Sequence, residues 1–148
     1  MRNPRQSPAL DAVDPARSAM MSRIRSRDTR PELVVRSIVH RLGYRFRLHQ
    51  TDLPGQPDIV LTRLHTIILV HGCFWHRHSR CRFAYMPKSR VDFWVSKFKK
   101  NVARDRKVRQ ALRRQGWQVL VIWECETKNL ARLTERLRKL LQAADDTA

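Results

Sequence analysis

Two thiols and three imidazoles fall within the stretch His71-Gly72-Cys73-Phe74-Trp75-His76-Arg77-His78-Ser79-Arg80-Cys81, and a third thiol, Cys125, lies farther along the chain. These residue types bind metals and carry protons. Cys73-x4-His78-x2-Cys81 together with Cys125 makes a Cys3His set, the closed tetrahedral complement of structural zinc, in which the metal staples a loop to a neighbouring element. Spacing alone leaves His76 and His78 both open as the imidazole ligand. Three cysteines are an odd number in a chain with no export signal at its start, which argues against a disulfide framework. The competing picture is a buried core thiol at Cys125 and two unpaired surface thiols.

Asp58 is the second chemical residue. It follows Pro57 at the start of a β-branched run, where a strand fixes the direction of the carboxylate and the preceding turn leaves it open to a hard cation such as Mg²⁺. Pro-Asp is also a common turn dipeptide, and taken alone a structural aspartate is the commoner outcome. The runs Asp58 to Leu61 and Thr66 to Val70, separated by Thr62 to His65, read as a hairpin that brings the end Leu69-Val70-His71 beside Asp58. His71 comes with it, and His76 lies close in sequence. A carboxylate, a free strand carbonyl and two imidazoles are the parts needed for metal-assisted phosphodiester hydrolysis. The Glu-x-Lys that usually partners Pro-Asp in nucleases of this layout is absent.

The elements that must hold these residues follow from periodicity. Asp28 or Thr29 can cap a helix whose first turn holds Pro31 and Glu32, with Leu33, Val34, Val35, Ile38, Val39 and Leu42 at helical spacing and Gly43 ending it. Tyr44 to Leu48 alternates as a first strand, and Leu53-Pro54-Gly55-Gln56-Pro57 is a turn. Residues 90 to 115 carry Phe93, Trp94, Phe98, Val102, Val108 and Leu112 on an amphipathic helix closed by Gly116, with Asp105 near the apolar stripe. Trp117 to Trp123 is a nearly continuous apolar strand, expected to be buried on both faces. Leu130, Leu133, Leu137, Leu140 and Leu141 mark a last helix. The order α, β, β, β, α, β, α predicts an α/β fold with a small mixed sheet flanked by helices. The expected organisation is a flexible arm over 1–18, one domain over 19–142 and a polar tail over 143–148.

Charge selects the partner. The 148 residues hold 31 Lys+Arg against 13 Asp+Glu, a net of +18. With 42% hydrophobic residues, 4 Gly and 7 Pro, low-complexity disorder and collagen are excluded and one real core is expected. No apolar run approaches the ~18 residues of a membrane span, so a soluble, cytoplasmic protein is expected. Between Lys88 and Arg114 there are eleven basic residues against Asp92 and Asp105, which concentrates half of the excess on one helix. Such density fits a phosphate-backbone surface that includes Lys97 and Arg104. On charge alone, a ribosomal-type or chromatin-type binder fits as well.

Ser26-Arg27-Asp28-Thr29 with Glu32, Leu53-Pro54-Gly55-x-Pro57-Asp58, His71-Gly72-Cys73-Phe74-Trp75-His76, Phe93-Trp94-x-x-Lys97-x-x-x-Asn101-x-x-Arg104-Asp105, Gly116-Trp117 and Trp123-Glu124-Cys125 stand in order from about Met20 to Leu140. Together they resemble the very-short-patch-repair (Vsr) DNA mismatch endonucleases. The resemblance implies a restriction-endonuclease-like core and a Mg²⁺-dependent nick in one strand of double-stranded DNA at a T:G mismatch left by deaminated 5-methylcytosine. It implies that Asp58 and the Val70 carbonyl bind Mg²⁺, that His71 and His76 act on the scissile phosphate and the attacking water, and that Glu32 supports them. It also implies structural zinc on Cys73, His78, Cys81 and Cys125, and insertion of Phe74, Trp75 and Met21 (or Met20 in its place) into the duplex. Lys97, Asn101 and Arg104 are the expected DNA contacts. A bacterial, nucleoid-associated monomer working with mismatch-repair proteins is implied too. The rivals are a non-catalytic zinc-dependent DNA-binding module and a dimeric double-strand nuclease.

Overall fold

The computed structural model describes residues 27–148. The expected arm over 1–18, and Met20 and Met21 with it, lie outside the described residues.

Helix α1 (Arg30–Arg41) starts at Thr29, whose Oγ1 accepts from the Glu32 N–H at 3.4 Å, and Pro31 occupies its first turn. Thr29, rather than Asp28, is therefore the cap. Gly43, at φ +95°, ends the helix in the left-handed conformation that a residue with a Cβ adopts only at a cost. Of the expected strand Tyr44 to Leu48 only Arg47–Leu48 (β1) is extended and paired. Tyr44 and Phe46 pack instead against the core under α1.

The hairpin forms as expected, with β2 (Ile59–Leu61) antiparallel to β3 (Thr66–His71). From β3 the chain crosses through helix α2 (Val91–Arg114) into β4 (Gln118–Trp123), which pairs parallel to β3 and places His71 beside Trp123. A 3-10 turn at Glu124–Lys128 leads into helix α3 (Leu130–Thr147). The sheet order is β1-β2-β3-β4.

Alternation along the strands sends side chains to two cores. Ile59, Leu61, Ile68 and Ile122 meet α1 and α3 on one face, while Val60, Ile67 and Leu69 meet Leu112 and Val108 of α2 on the other. Helices thus cover both faces, and β2 and β3 are buried along nearly their whole length. β4 differs from expectation. It contributes to both cores, but it is an edge strand and only Ile122 is fully buried. The last helix also runs on to Thr147 with Ala144 buried, so residues 143–147 are helix rather than the polar tail expected. Among the described residues, no helix is long and apolar enough to cross a membrane.

Candidate active site

A cleft of about 850 Å³ opens where β3 ends, walled by the start of α1, the turn before β2, the loop Gly72 to His76 and the inward face of α2. The turn is pressed onto that helix. Gly55 stands at φ +73°, and a Cβ there would lie 2.6 Å from Val108 Cγ1, so any larger residue would have to displace the Val108 side chain.

Asp58 is the first residue past this turn, and its Oδ2 accepts from the Val70 N–H at 2.8 Å. This occurs because β3 outruns β2. The register pairs Ile59 with Ile68, which leaves Val70 beyond the last paired residue on that side. A strand residue's N–H and C=O point to the same side, so the Val70 carbonyl opens beside Asp58. Burial pushes the Asp58 carboxyl up to about 6; the Val70 N–H opposes this, and the nearby Glu32 charge adds to it. A carboxylate oxygen beside a strand carbonyl is the hard-oxygen donor chemistry that suits a divalent cation.

His71 and His76 stack in parallel, with centroids 4.0 Å apart and planes at 6°. Burial, and then the neighbouring His76, push His71 down to about 3, so its imidazole is neutral near pH 7. Its Nδ1 is buried and has no hydrogen-bond partner among the described residues. His76 is fixed from the other side, its Nδ1 lying 2.6 Å from Asp105 Oδ2. Burial acts to raise Asp105, but the bond and charge of His76 outweigh it and hold the carboxyl below the ordinary range. The carboxylate can only accept, so His76 Nδ1 is the donor in this bond.

Asp105 was not among the expected site residues, although it belongs to a quoted motif. The signal for it is positional. Trp94, Phe98, Asn101, Asp105, Val108 and Leu112 recur at three- and four-residue steps on the inward face of α2, and two of the six are polar. Polar groups on a buried stripe need partners. Asn101 Nδ2 donates to the Trp75 carbonyl at 3.2 Å and the residue is only 8% exposed. Asn101 thus ties the loop to α2 while also lining the cleft. Lys97 and Arg104 are exposed at the cleft wall, as a phosphate-gripping surface needs.

Glu32 is buried at the cleft's other wall. Its Oε2 accepts from the Asp28 N–H at 3.0 Å and from Arg36 Nη2 at 3.1 Å, and His49 Nε2 stands 3.6 Å away. Neither Arg36 nor His49 was singled out by sequence.

Cys73, His78, Cys81 and Cys125 present four ligand atoms that all lie within 4.8 Å of one another. His78 Nδ1 is 3.6 Å from Cys73 Sγ and 3.4 Å from Cys125 Sγ. Ligands about 2.1–2.3 Å from a tetrahedral zinc are about 3.5–3.8 Å apart, so the set fits that ion. His76 faces Asp105 instead, so of the two imidazoles it is His78 that lies with the thiols. His78 is braced by Trp123, its ring stacked at 4.1 Å, and burial pushes the Cys73 thiol up to about 12, so a thiolate there needs a cation beside it.

Phe74 and Trp75 are half-buried and meet edge to face at 5.1 Å. Phe74 also lies 5.1 Å from Tyr85 and 5.1 Å from Phe98, so an aromatic floor backs the pair. Arg77 ties this floor down, with its guanidinium 3.9 Å over Phe98 and donating to the Phe74, Ala84 and Tyr85 carbonyls.

A family model described as DNA mismatch endonuclease Vsr matches residues 10–82. A type II nicking enzyme, V.XorIIP of Xanthomonas oryzae pv. oryzae, is 49% identical over 132 residues, covering 88% of this chain and 96% of that protein. V.NmeAIP of Neisseria meningitidis, also a type II nicking enzyme, is 43% identical over 130 residues, 88% of this chain and 92% of that protein. The DNA mismatch endonuclease Vsr of Escherichia coli K12 is 40% identical over 119 residues, 80% of this chain and 76% of that protein.

Proposed function

This chain belongs to the Vsr family of DNA mismatch endonucleases, and we propose that it cuts one strand of duplex DNA at a T:G mismatch by Mg²⁺-dependent hydrolysis. The nick leaves a 3′-hydroxyl and a 5′-phosphate and starts very short patch repair of a deaminated 5-methylcytosine. The observation that carries this reading is the meeting, in one cleft, of Asp58 with the free end of β3 and of the His71/His76 stack with Asp105.

Asp58 and the Val70 carbonyl would hold Mg²⁺, which supplies positive charge against the charge that develops on the phosphate. His76, oriented by Asp105, takes the proton of the attacking water on Nε2 as the new P–O bond forms and the bond to the 3′-oxygen breaks. The leaving oxygen is protonated from solvent. His71 is neutral and faces the phosphate as a hydrogen-bonding imidazole, not as the imidazolium that charge stabilisation alone suggests. Glu32 acts from the opposite wall. Lys97, Arg104 and the rest of the basic face of α2 hold phosphates and set the register without reading bases.

Phe74 and Trp75 enter the stack beside the mismatch, where unstacking costs least. Cys73, His78, Cys81 and Cys125 would hold zinc, which would tie the loop carrying these rings and His76 to the end of β4. The E. coli relative is named a mismatch endonuclease and the others nicking enzymes, which supports single-strand cutting. The test compares wild type with Asp58→Ala on a T:G duplex in Mg²⁺. Both should bind, and only wild type should nick; cutting by Asp58→Ala contradicts the mechanism, and loss of its binding makes Asp58 structural.

A further inference from the structure

Arg36 lies one turn beyond Glu32 on α1, and among the described residues a single nitrogen of its guanidinium makes all of its polar side-chain contacts. Nη2 stands 2.6 Å from Asp28 Oδ1, 3.1 Å from Glu32 Oε2 and 3.0 Å from His49 Nε2. Those three ligand atoms lie within 4.8 Å of one another, close enough to share one cation, and Nη2 is seated among them. The seat is sheltered on the Glu32 side and open at Asp28: side-chain exposure is 13% for Arg36, 4% for Glu32 and 12% for His49, against 52% for Asp28. A guanidinium has no acceptor, so His49 Nε2 accepts. His49 is also tied to the catalytic carboxylate's own backbone, its N–H donating to the Asp58 carbonyl at 3.4 Å.

We propose that Arg36 is a positioning residue, a built-in cation that together with His49 holds the Glu32 carboxylate in place beside Asp58. The bonds to Glu32 fall on Oε2, which leaves Oε1 for the cleft that Glu32 lines. Two carboxylates and a buried Asp58 at one wall repel each other, and the guanidinium offsets that repulsion without occupying the place of Asp58. The inference rests on the nuclease reading of the cleft.

Because one nitrogen does the work, a lysine ammonium can take its place, whereas a role that used the planar fork could not be so replaced. Nicking of a T:G duplex by wild type, Arg36→Lys and Arg36→Met provides the test. Arg36→Met should lose about 10- to 100-fold in kcat with KM unchanged, as a displaced catalytic group does. Arg36→Lys should stay within about threefold of wild type on the same scale. Wild-type rates in Arg36→Met, or a lysine variant as slow as the methionine one, overturn the proposal.

A second measurement does not depend on catalysis. The drop in Tm on Arg36→Met should shrink by about half or more when Glu32→Gln is already present, since residues in contact are not additive. Equal drops in the two backgrounds overturn the proposal. A wild-type chain that nicks no mismatch while the two substitutions couple refutes the nuclease reading and leaves the Arg36–Glu32 link standing.

Discussion

His76 Nδ1 and Asp105 Oδ2 lie 2.6 Å apart, joining the loop after β3 to the middle of α2. The helix that carries the chain's densest positive charge is thereby the same element that orients the His76 imidazole. Under the proposed mechanism, this couples phosphate binding to alignment of the base.

Asp105→Asn keeps the size of the side chain but offers an amide that can donate to Nδ1 and favour the wrong tautomer. Nicking should fall about 10²- to 10⁴-fold, by analogy with other carboxylate-oriented histidines, while duplex affinity holds. Single-turnover rates set beside binding isotherms check this. An unchanged rate leaves Asp105 without a role in orientation.

Asp58 predicts a pH-dependent stability. Its carboxyl sits near 6 in the folded chain against an ordinary 3.8, so its protonated form favours the native state. That contribution is complete below about pH 3.8 and is lost as pH rises through about 6. At pH ~7.5 the buried carboxylate then costs roughly 1–3 kcal/mol. In chelator, Asp58→Asn should raise Tm at pH ~7.5 by several degrees and give no gain below pH ~4. Equal gains at both pH values contradict the buried-carboxylate account.

The Cys3His set predicts one zinc per chain. Cys125→Ser should lower zinc content and cost about 3 kcal/mol or more of stability, because the site closes a loop onto the sheet. Elemental analysis and denaturant unfolding report the two effects. A metal-free chain whose stability ignores this substitution removes the staple from the account.

Phe74→Ala and Trp75→Ala should retain zinc and fold but lose about 10- to 100-fold in preference for mismatched over matched duplex, the scale of a few kcal/mol per opened base step. A fluorescent base analogue beside the mismatch should brighten with wild type and stay dim with the double variant. Full brightening by the variant shows that other groups open the stack.

The parts of the molecule legible in sequence are those governed by local rules. A helix start at Asp28 or Thr29, the stop at Gly43, the hairpin, the long basic helix and the local Cys73/His78/Cys81 spacing each depend on residues a few positions apart. What escaped depends on partners distant in sequence. Apolar content does not tell an edge strand from a central one, so β4 read as fully buried. His49 meets Arg36 and Glu32 only because the chain folds back after α1, and no spacing rule marks it. Asn101 lies in a motif, but which way its amide faces is decided by packing under Trp75.

The most direct measurement is strand-resolved cleavage of a duplex carrying one T:G mismatch, alongside matched T:A and C:G duplexes of otherwise identical sequence, with both strands end-labelled. The account predicts a single Mg²⁺-dependent nick in one strand of the mismatched duplex, carrying a 3′-hydroxyl, with neither matched control cut. Equal cutting of all three, cutting of both strands, or mismatch binding without any product contradicts it.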